Sequence, residues 1–139
     1  MLEANLIPYK LVGHNHEKEA IRHLGTPIRF MPHVHPAFRG LIATVHIPLA
    51  EKTDLESVQA LFAEKYAKEP LVTLQDHAPE LKQGTDHNGV IIGGIEISDD
   101  GKNVVVVAAE DNLLKGAAVQ AIQNLNLALG LEEHSGISI

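Results

Sequence analysis

Apolar positions recur at helical spacing most clearly between Asp111 and Gly130, in DNLLKGAAVQAIQNLNLALG. Leu114, Ala118, Ala121, Ile122, Leu125 and Leu129 share one stripe, with Gln120, Gln123, Asn124 and Asn126 mostly off it. That pattern predicts one long helix with its apolar stripe turned inward and a glycine closing it. Asp111 and Asn112 stand where a short polar side chain can accept from the orphan amides of a first turn. Lys115 and Gly116 follow, and both run against local propensity. A lysine near a helix N-terminus opposes the macrodipole, and a glycine there costs about 1 kcal/mol relative to alanine. The start of this helix is therefore the first place to look for a ligand.

The remaining pattern is mixed. An apolar-alternating segment around Tyr9–Val12 reads as a strand, with no cap or turn between it and Met1. In HNHEKEAIRHLG, Asn15 or His16 can cap a short helix that carries Glu17 and Glu19 in its first turn and ends at Gly25. Pro27 opens a strand, IRFMPHV, broken by Pro32 and Pro36, and LIATVHIPL reads as a buried strand. The Thr53-x-x-Glu56 box opens a helix to about Ala67, with Leu55, Val58, Leu61, Phe62 and Tyr66 inward. LVTLQ is a short strand, His77–Asn88 a polar loop, and VIIGGIEI with NVVVVAA a hairpin across Asp99-Asp100-Gly101-Lys102. Glu132 to Ile139 is a tail.

Strands joined by turns and interrupted by a few helices indicate an α+β domain, with a mixed, mostly antiparallel sheet and helices packed on one face. A doubly wound parallel sheet would need strict strand–helix alternation, and Gly93-Gly94 lies inside a strand rather than in a phosphate loop. With 139 residues, 45% apolar and 21% charged, the chain is sized for one domain, residues 1–139. A net charge of −7 without any basic run argues against nucleic acid or an anionic membrane as partner. No apolar run approaches a membrane span and no signal-peptide pattern follows Met1, so a cytoplasmic domain is expected. Cysteine is absent, which removes thiolate chemistry from this chain.

Nine histidines include two His-x-His pairs, His14/His16 and His33/His35. Both adjoin turns and neither has a third carboxylate at a telling spacing, so no metal site is assigned. His14 differs in its setting. Gly13 lets the backbone turn before it, an acidic helix start follows, and Glu17 or Glu19 could orient its ring for general acid/base work. Arg39 in PAFRG could present a fork to a carboxylate or phosphate, or simply pair with a surface acid.

Three ordered blocks, GHNHEKEA, FMPHVHPAFRGLIATV and EDNLLKGAAVQAIQNLNLALG, resemble those of N-acetyl-gamma-glutamyl-phosphate reductases, and the likeness covers essentially the whole chain. A shorter form of the third block also occurs in aspartate-semialdehyde dehydrogenases. The resemblance implies a glyceraldehyde-3-phosphate dehydrogenase-like C-terminal domain, catalytic and dimer-forming, with a Rossmann domain and a cysteine nucleophile upstream. It implies that the cysteine attacks an acyl phosphate and that NADPH reduces the resulting thioester to a semialdehyde in arginine biosynthesis. In this carry-over His14 falls on the catalytic histidine and His16 on a substrate contact. Arg39 falls on a substrate anchor, and Asn112 and Lys115 on cofactor contacts at the nicotinamide. A homodimer or homotetramer is implied, and the isolated chain is expected to be inactive. The sequence departs from the family pattern at Glu17-Lys18, at Val119 and at Asp86-His87, where the family has Thr-Pro, Gly and Gly-Ser. Alternatives are an aspartate-semialdehyde or amino-adipyl phosphate relative, a non-catalytic oligomerisation domain, and, distantly, a metal-binding module.

Overall fold

Valine and isoleucine dominate the two strands that form the centre of the sheet in the computed structural model, which describes residues 5–139. The chain divides between Phe38 and Arg39 into two compact units. In the second, strands β3 (Leu41–Pro48), β4 (Val72–Leu74), β5 (Val90–Ile97) and β6 (Asn103–Glu110) form one sheet in the order β3-β6-β5-β4. β6 runs antiparallel to both neighbours, in register from Leu41↔Glu110 to Pro48↔Asn103 on one side. β4 is parallel to β5, which requires a crossover, and the segment between them supplies it. The sheet is thus mixed and mostly antiparallel, and the domain is α+β.

Burial alternates along β6, as a half-covered strand demands. Val104 and Val106 are buried while Val105 and Val107 are half-buried. Ile91, Ile92, Ala109, Val58, Leu71 and Val119 complete a small core. The Gly93-Gly94 pair lies within β5, as the sequence indicates, and marks a register shift against β6. A Cβ on Gly93 would stand 2.4 Å from the His77 carbonyl oxygen, so glycine lets the Gln75–Ala78 segment press directly on the strand. β3 forms as expected but is not buried. It is an edge strand, and Leu41, Ile42 and Val45 are each more than two-fifths exposed.

Three further readings shift. Helix α2 (Leu55–Tyr66) is capped by Asp54, whose Oδ1 accepts from Ser57 N at 2.8 Å, not by Thr53. The carboxylate wins because it accepts more strongly than a hydroxyl, and that bond also holds its pKa below the ordinary value. Val58, Phe62 and Tyr66 line the inner side of α2, whereas Leu61 is exposed. The polar stretch expected as loop contains α3 (Leu81–Gly84), started by a Glu80–Gln83 capping box.

The C-terminal helix departs most from the expected one. Its first turn, Leu114–Ala118, is π-helical, with Gly116 N bonding Asp111 O and Ala118 N bonding Leu113 O, and α4 proper is Val119–Ala128. Gly130 closes it in the left-handed conformation, φ 70°. The buried face is Val119, Gln123 and Asn126, while Ile122, Leu125 and Leu129 point to solvent. The reason is hydrogen bonding. Asn126 Nδ2 donates to the carbonyls of Glu133 and Ser135, and Gln123 Nε2 to Glu133, so the polar face clamps the tail.

The first unit holds β1 (Ile7–Pro8), α1 (Asn15–Leu24) and β2 (His33–Val34), with β1 and β2 antiparallel. The expected strand at Tyr9–Val12 thus falls two residues earlier, and the IRFMPHV strand shrinks to its last two residues because proline at 32 removes a ladder donor. Residues 1–4 of the N-terminal reading lie outside the described residues. None of the described residues in this unit is buried.

Gly89 offers a test of the packing. A Cβ there would meet the Leu71 carbonyl oxygen at 2.2 Å, the same oxygen that accepts from Val90 N. Gly89→Ala is expected to cost about 1–3 kcal/mol in denaturant unfolding through overpacking of the β4–β5 junction. Unchanged stability would contradict the packing described.

Candidate functional site

In the second unit the turn from Arg39 into β3, the Gly84–Asn88 loop and the end of β6 converge on one carboxylate. Asp111 is fully buried. Its Oδ1 accepts from Leu113 N at 2.9 Å and Leu114 N at 3.1 Å, as the sequence expected of a cap. Its Oδ2 accepts from Asp86 N at 2.9 Å and lies 3.3 Å from Arg39 Nε. Four donors around two oxygens leave the buried charge paired and hydrogen-bonded, the condition under which burial is tolerable.

Arg39 also pairs through Nη2 with Asp86. The two acids differ in setting, since the Arg39 side chain is 26% exposed, Asp111 is 0% exposed and Asp86 is 71% exposed. Asp86 sits at φ 63°, a left-handed conformation that aspartate tolerates better than most residues. Asn112 is exposed, and its Oδ1 accepts from Gly40 N at 2.7 Å, so it braces the Arg39-Gly40 turn rather than capping the helix. Gly40 itself has φ 108°, reachable only by glycine at low cost.

Lys115 and Gly116 have local explanations. Lys115 Nζ donates to Gln123 Oε1 at 2.5 Å, turned along the helix and away from the amides of the first turn. A Cβ on Gly116 would come within 3.3 Å of Glu110 Oε1, so glycine leaves room for that carboxylate. Glu110 was not singled out by the sequence. Burial raises its pKa above the ordinary 4.5; Lys115 opposes the shift and Asp111 adds to it. Its position at the end of a β-strand, just before a capping Asp, was the available signal.

In the first unit His14 and His16 come together with two aromatic rings. His14 is the N-cap of α1, in place of Asn15 or His16, and its Nδ1 accepts from His16 N at 3.2 Å. Its ring lies 5.7 Å from that of Tyr9 and 5.1 Å from that of Phe30. An acceptor at Nδ1 assigns the proton of the neutral ring to Nε2, which is then available as a donor. Gly13, at φ 68°, makes the turn into it. The acids serve other partners. Glu19 Oε2 lies 2.9 Å from His16 Nδ1, and Glu17 Oε2 accepts from Phe30 N at 3.0 Å. His33 and His35 use their Nδ1 atoms locally, on Met31 O and Ala37 N. Among the described residues no three metal-ligating side chains gather. Arg39 and Asn112 therefore share one cluster, Lys115 stands on the adjoining turn, and His14 and His16 share another.

The chain belongs to the family of the semialdehyde dehydrogenase dimerisation domain, whose family model matches residues 1–112. It is 49% identical over 99% of its length to an N-acetyl-gamma-glutamyl-phosphate reductase of Xanthomonas oryzae pv. oryzae, of which it spans 43%. It is 47% identical over 98% of its length to the mitochondrial protein arg-6 of Neurospora crassa, of which it spans 16%. The chain thus covers less than half the length of these curated relatives. A probable aspartate-semialdehyde dehydrogenase from Pseudomonas aeruginosa superposes with TM-score 0.75 over 93% of this chain and 42% of its own, at 18% identity. The Vibrio cholerae aspartate-semialdehyde dehydrogenase II, solved with ASA, gives 0.71 over 91% of this chain and 41% of its own, at 17% identity. These two likenesses show the fold alone, and among the described residues no helix is long and apolar enough to cross a membrane.

Glu110 gives a prediction with a definite sign. A carboxyl with a raised folded pKa contributes stability below pH 4.5 that is lost as pH rises through the folded value. Glu110→Gln removes that dependence. The Tm of the variant minus that of the parent chain is therefore expected to be more positive at pH 7 than at pH 4. An equal difference at both pH values would refute the burial account.

Proposed function

We propose that this chain is the catalytic and subunit-contact portion of an NADP-dependent N-acetyl-gamma-glutamyl-phosphate reductase. The reaction is reduction of N-acetyl-gamma-glutamyl phosphate to N-acetylglutamate 5-semialdehyde, with release of phosphate, in arginine biosynthesis. The observation that carries this reading is 49% identity over 99% of the chain to proteins of that name. The aspartate-semialdehyde alternative has only fold-level likeness at 17–21% identity behind it. A cytoplasmic location goes with this reading.

His14 supplies the general acid/base. With Nδ1 accepting from His16 N, its Nε2–H is a donor suited to an oxygen that gains charge. His16, on the same turn and steadied by Glu19, contacts substrate. Arg39 anchors the carboxylate or phosphate of the substrate through its planar fork. Asn112 fits an edge contact to a nicotinamide amide, since its carbonyl is already held by Gly40 N and its amide group faces outward from that bond. Lys115 reaches such a ligand only by exchanging its bond to Gln123. NADPH, when bound, supplies the hydride. Its phosphates find no glycine-rich loop at a helix start among the described residues, so a separate nucleotide-binding domain is part of the proposal. The nucleophilic cysteine belongs to that portion too, because this chain contains none.

The half-exposed apolar residues of β3 support a homodimer or homotetramer, since an edge of that kind invites a partner. The solvent-facing Ile122, Leu125 and Leu129 of α4 are available for the proposed nucleotide-binding domain.

The test is phosphate-dependent NADP reduction with N-acetylglutamate semialdehyde. The isolated chain is expected to show none, and the protein carrying the proposed upstream domain is expected to turn over, with His14→Asn lowering kcat by roughly a hundredfold or more. Turnover by the isolated chain would refute the cysteine argument. Preference of the longer protein for aspartate semialdehyde would refute the substrate.

A further inference from the structure

Arg39 makes two ionic contacts of opposite character. Its Nε faces the carboxylate of Asp111, which is fully buried and holds three backbone amides besides, so that contact is the inner, fixed-carboxylate one. Its Nη2 faces the carboxylate of Asp86, which is 71% exposed and has no second partner among the described residues. Asp86 is brought to this place by its backbone. The left-handed turn at φ 63° and the bond from its N–H to Asp111 Oδ2 fix the Cα beside the guanidinium, leaving only the short side chain free to rotate.

We propose that Asp86 is a built-in counter-anion that occupies the outer nitrogen of Arg39 and is displaced by the anionic group of the ligand. It acts as a positioning and specificity-determining residue, and the idea rests on Arg39 being the substrate anchor. The chemistry of the exchange is simple. An oxyanion replaces one carboxylate on Nη2, Asp86 swings to solvent, and the Nε–Asp111 contact keeps the fork aimed throughout. The cost of separating an exposed ion pair lowers the affinity of the site for every anion. It also disfavours ligands that cannot make a contact as good as that of Asp86. Without Asp86 the same arginine would hold small anions indiscriminately.

Asp86→Asn tests this without disturbing the turn, because asparagine also tolerates the left-handed conformation and keeps the backbone N–H. The readout is the Gly40 backbone N–H resonance, next to the guanidinium residue and present in every variant of the 139-residue chain, titrated with inorganic phosphate and, separately, with acetate. Asp86→Asn is expected to bind phosphate about two- to fivefold tighter, the range set by typical exposed ion pairs. The gain should vanish when Arg39→Gln is added. A gain with phosphate alone assigns the exchanged contact to a phosphoryl group, and a gain with acetate assigns it to a carboxylate. A structural role for Asp86 would give unchanged or weaker binding. If Arg39→Gln weakens anion binding while Asp86→Asn leaves it unchanged, the counter-anion idea falls and the anchor stands. If Arg39→Gln has no effect, both fall.

Discussion

The Asp111 carboxylate, with no exposure to solvent, is the contact on which the second unit is arranged. A buried charge is costly unless its lone pairs are filled, and here the four contacts come from three separate places in the chain. Two are the first amides of the π-helical turn, one is the backbone of Asp86, and one is the Arg39 guanidinium. Removing the carboxylate would leave three amides without their acceptor and take from Arg39 the inner of its two acidic partners. The fold can therefore satisfy this group only by setting the arginine, the loop and the turn in one arrangement. Asn112 then locks the Gly40 amide from the next residue along.

That arrangement also explains why the C-terminal helix starts as it does. A π turn accommodates Glu110 and Asp111 at the end of β6, and Gly116 gives Glu110 its space. Lys115, held by Gln123, is tied through the same glutamine to Glu133 of the tail. The residues that look unfavourable by propensity are thus answering to neighbours remote in sequence. Tertiary packing overrides a preference worth less than a buried ion pair.

The periodic parts of the fold could be read from the chain alone. The hairpin of β5 and β6, the short β4 and the extent of α2 follow from runs of β-branched residues and from the Thr53-x-x-Glu56 start signal. Their neighbours in sequence are their neighbours in space. Asp54 displaced Thr53 as cap by a local competition that a motif does not resolve. The inverted face of α4 was hidden for a deeper reason: hydrophobic periodicity assumes that the apolar stripe is the buried one. Here Gln123 and Asn126 are turned in by bonds to a tail about ten residues away, and the apolar stripe is left outward. At the site, the cap role of Asp111 and the pairing of Arg39 with an acid were both foreseeable. Which acid was not, since Asp86 is forty-seven positions from Arg39, and only the folded loop brings it there.

The central claim is that Asp111 holds three segments as one piece, and amide hydrogen exchange on Asp111→Asn tests it most directly. Asparagine matches the size of aspartate but carries no charge and only one acceptor oxygen. The account predicts that Asp86, Leu113 and Leu114 lose protection together, with a stability loss of roughly 3–5 kcal/mol, the range for breaking a buried ion pair. Protection unchanged at those three amides, with stability within about 0.5 kcal/mol of the parent chain, would contradict it.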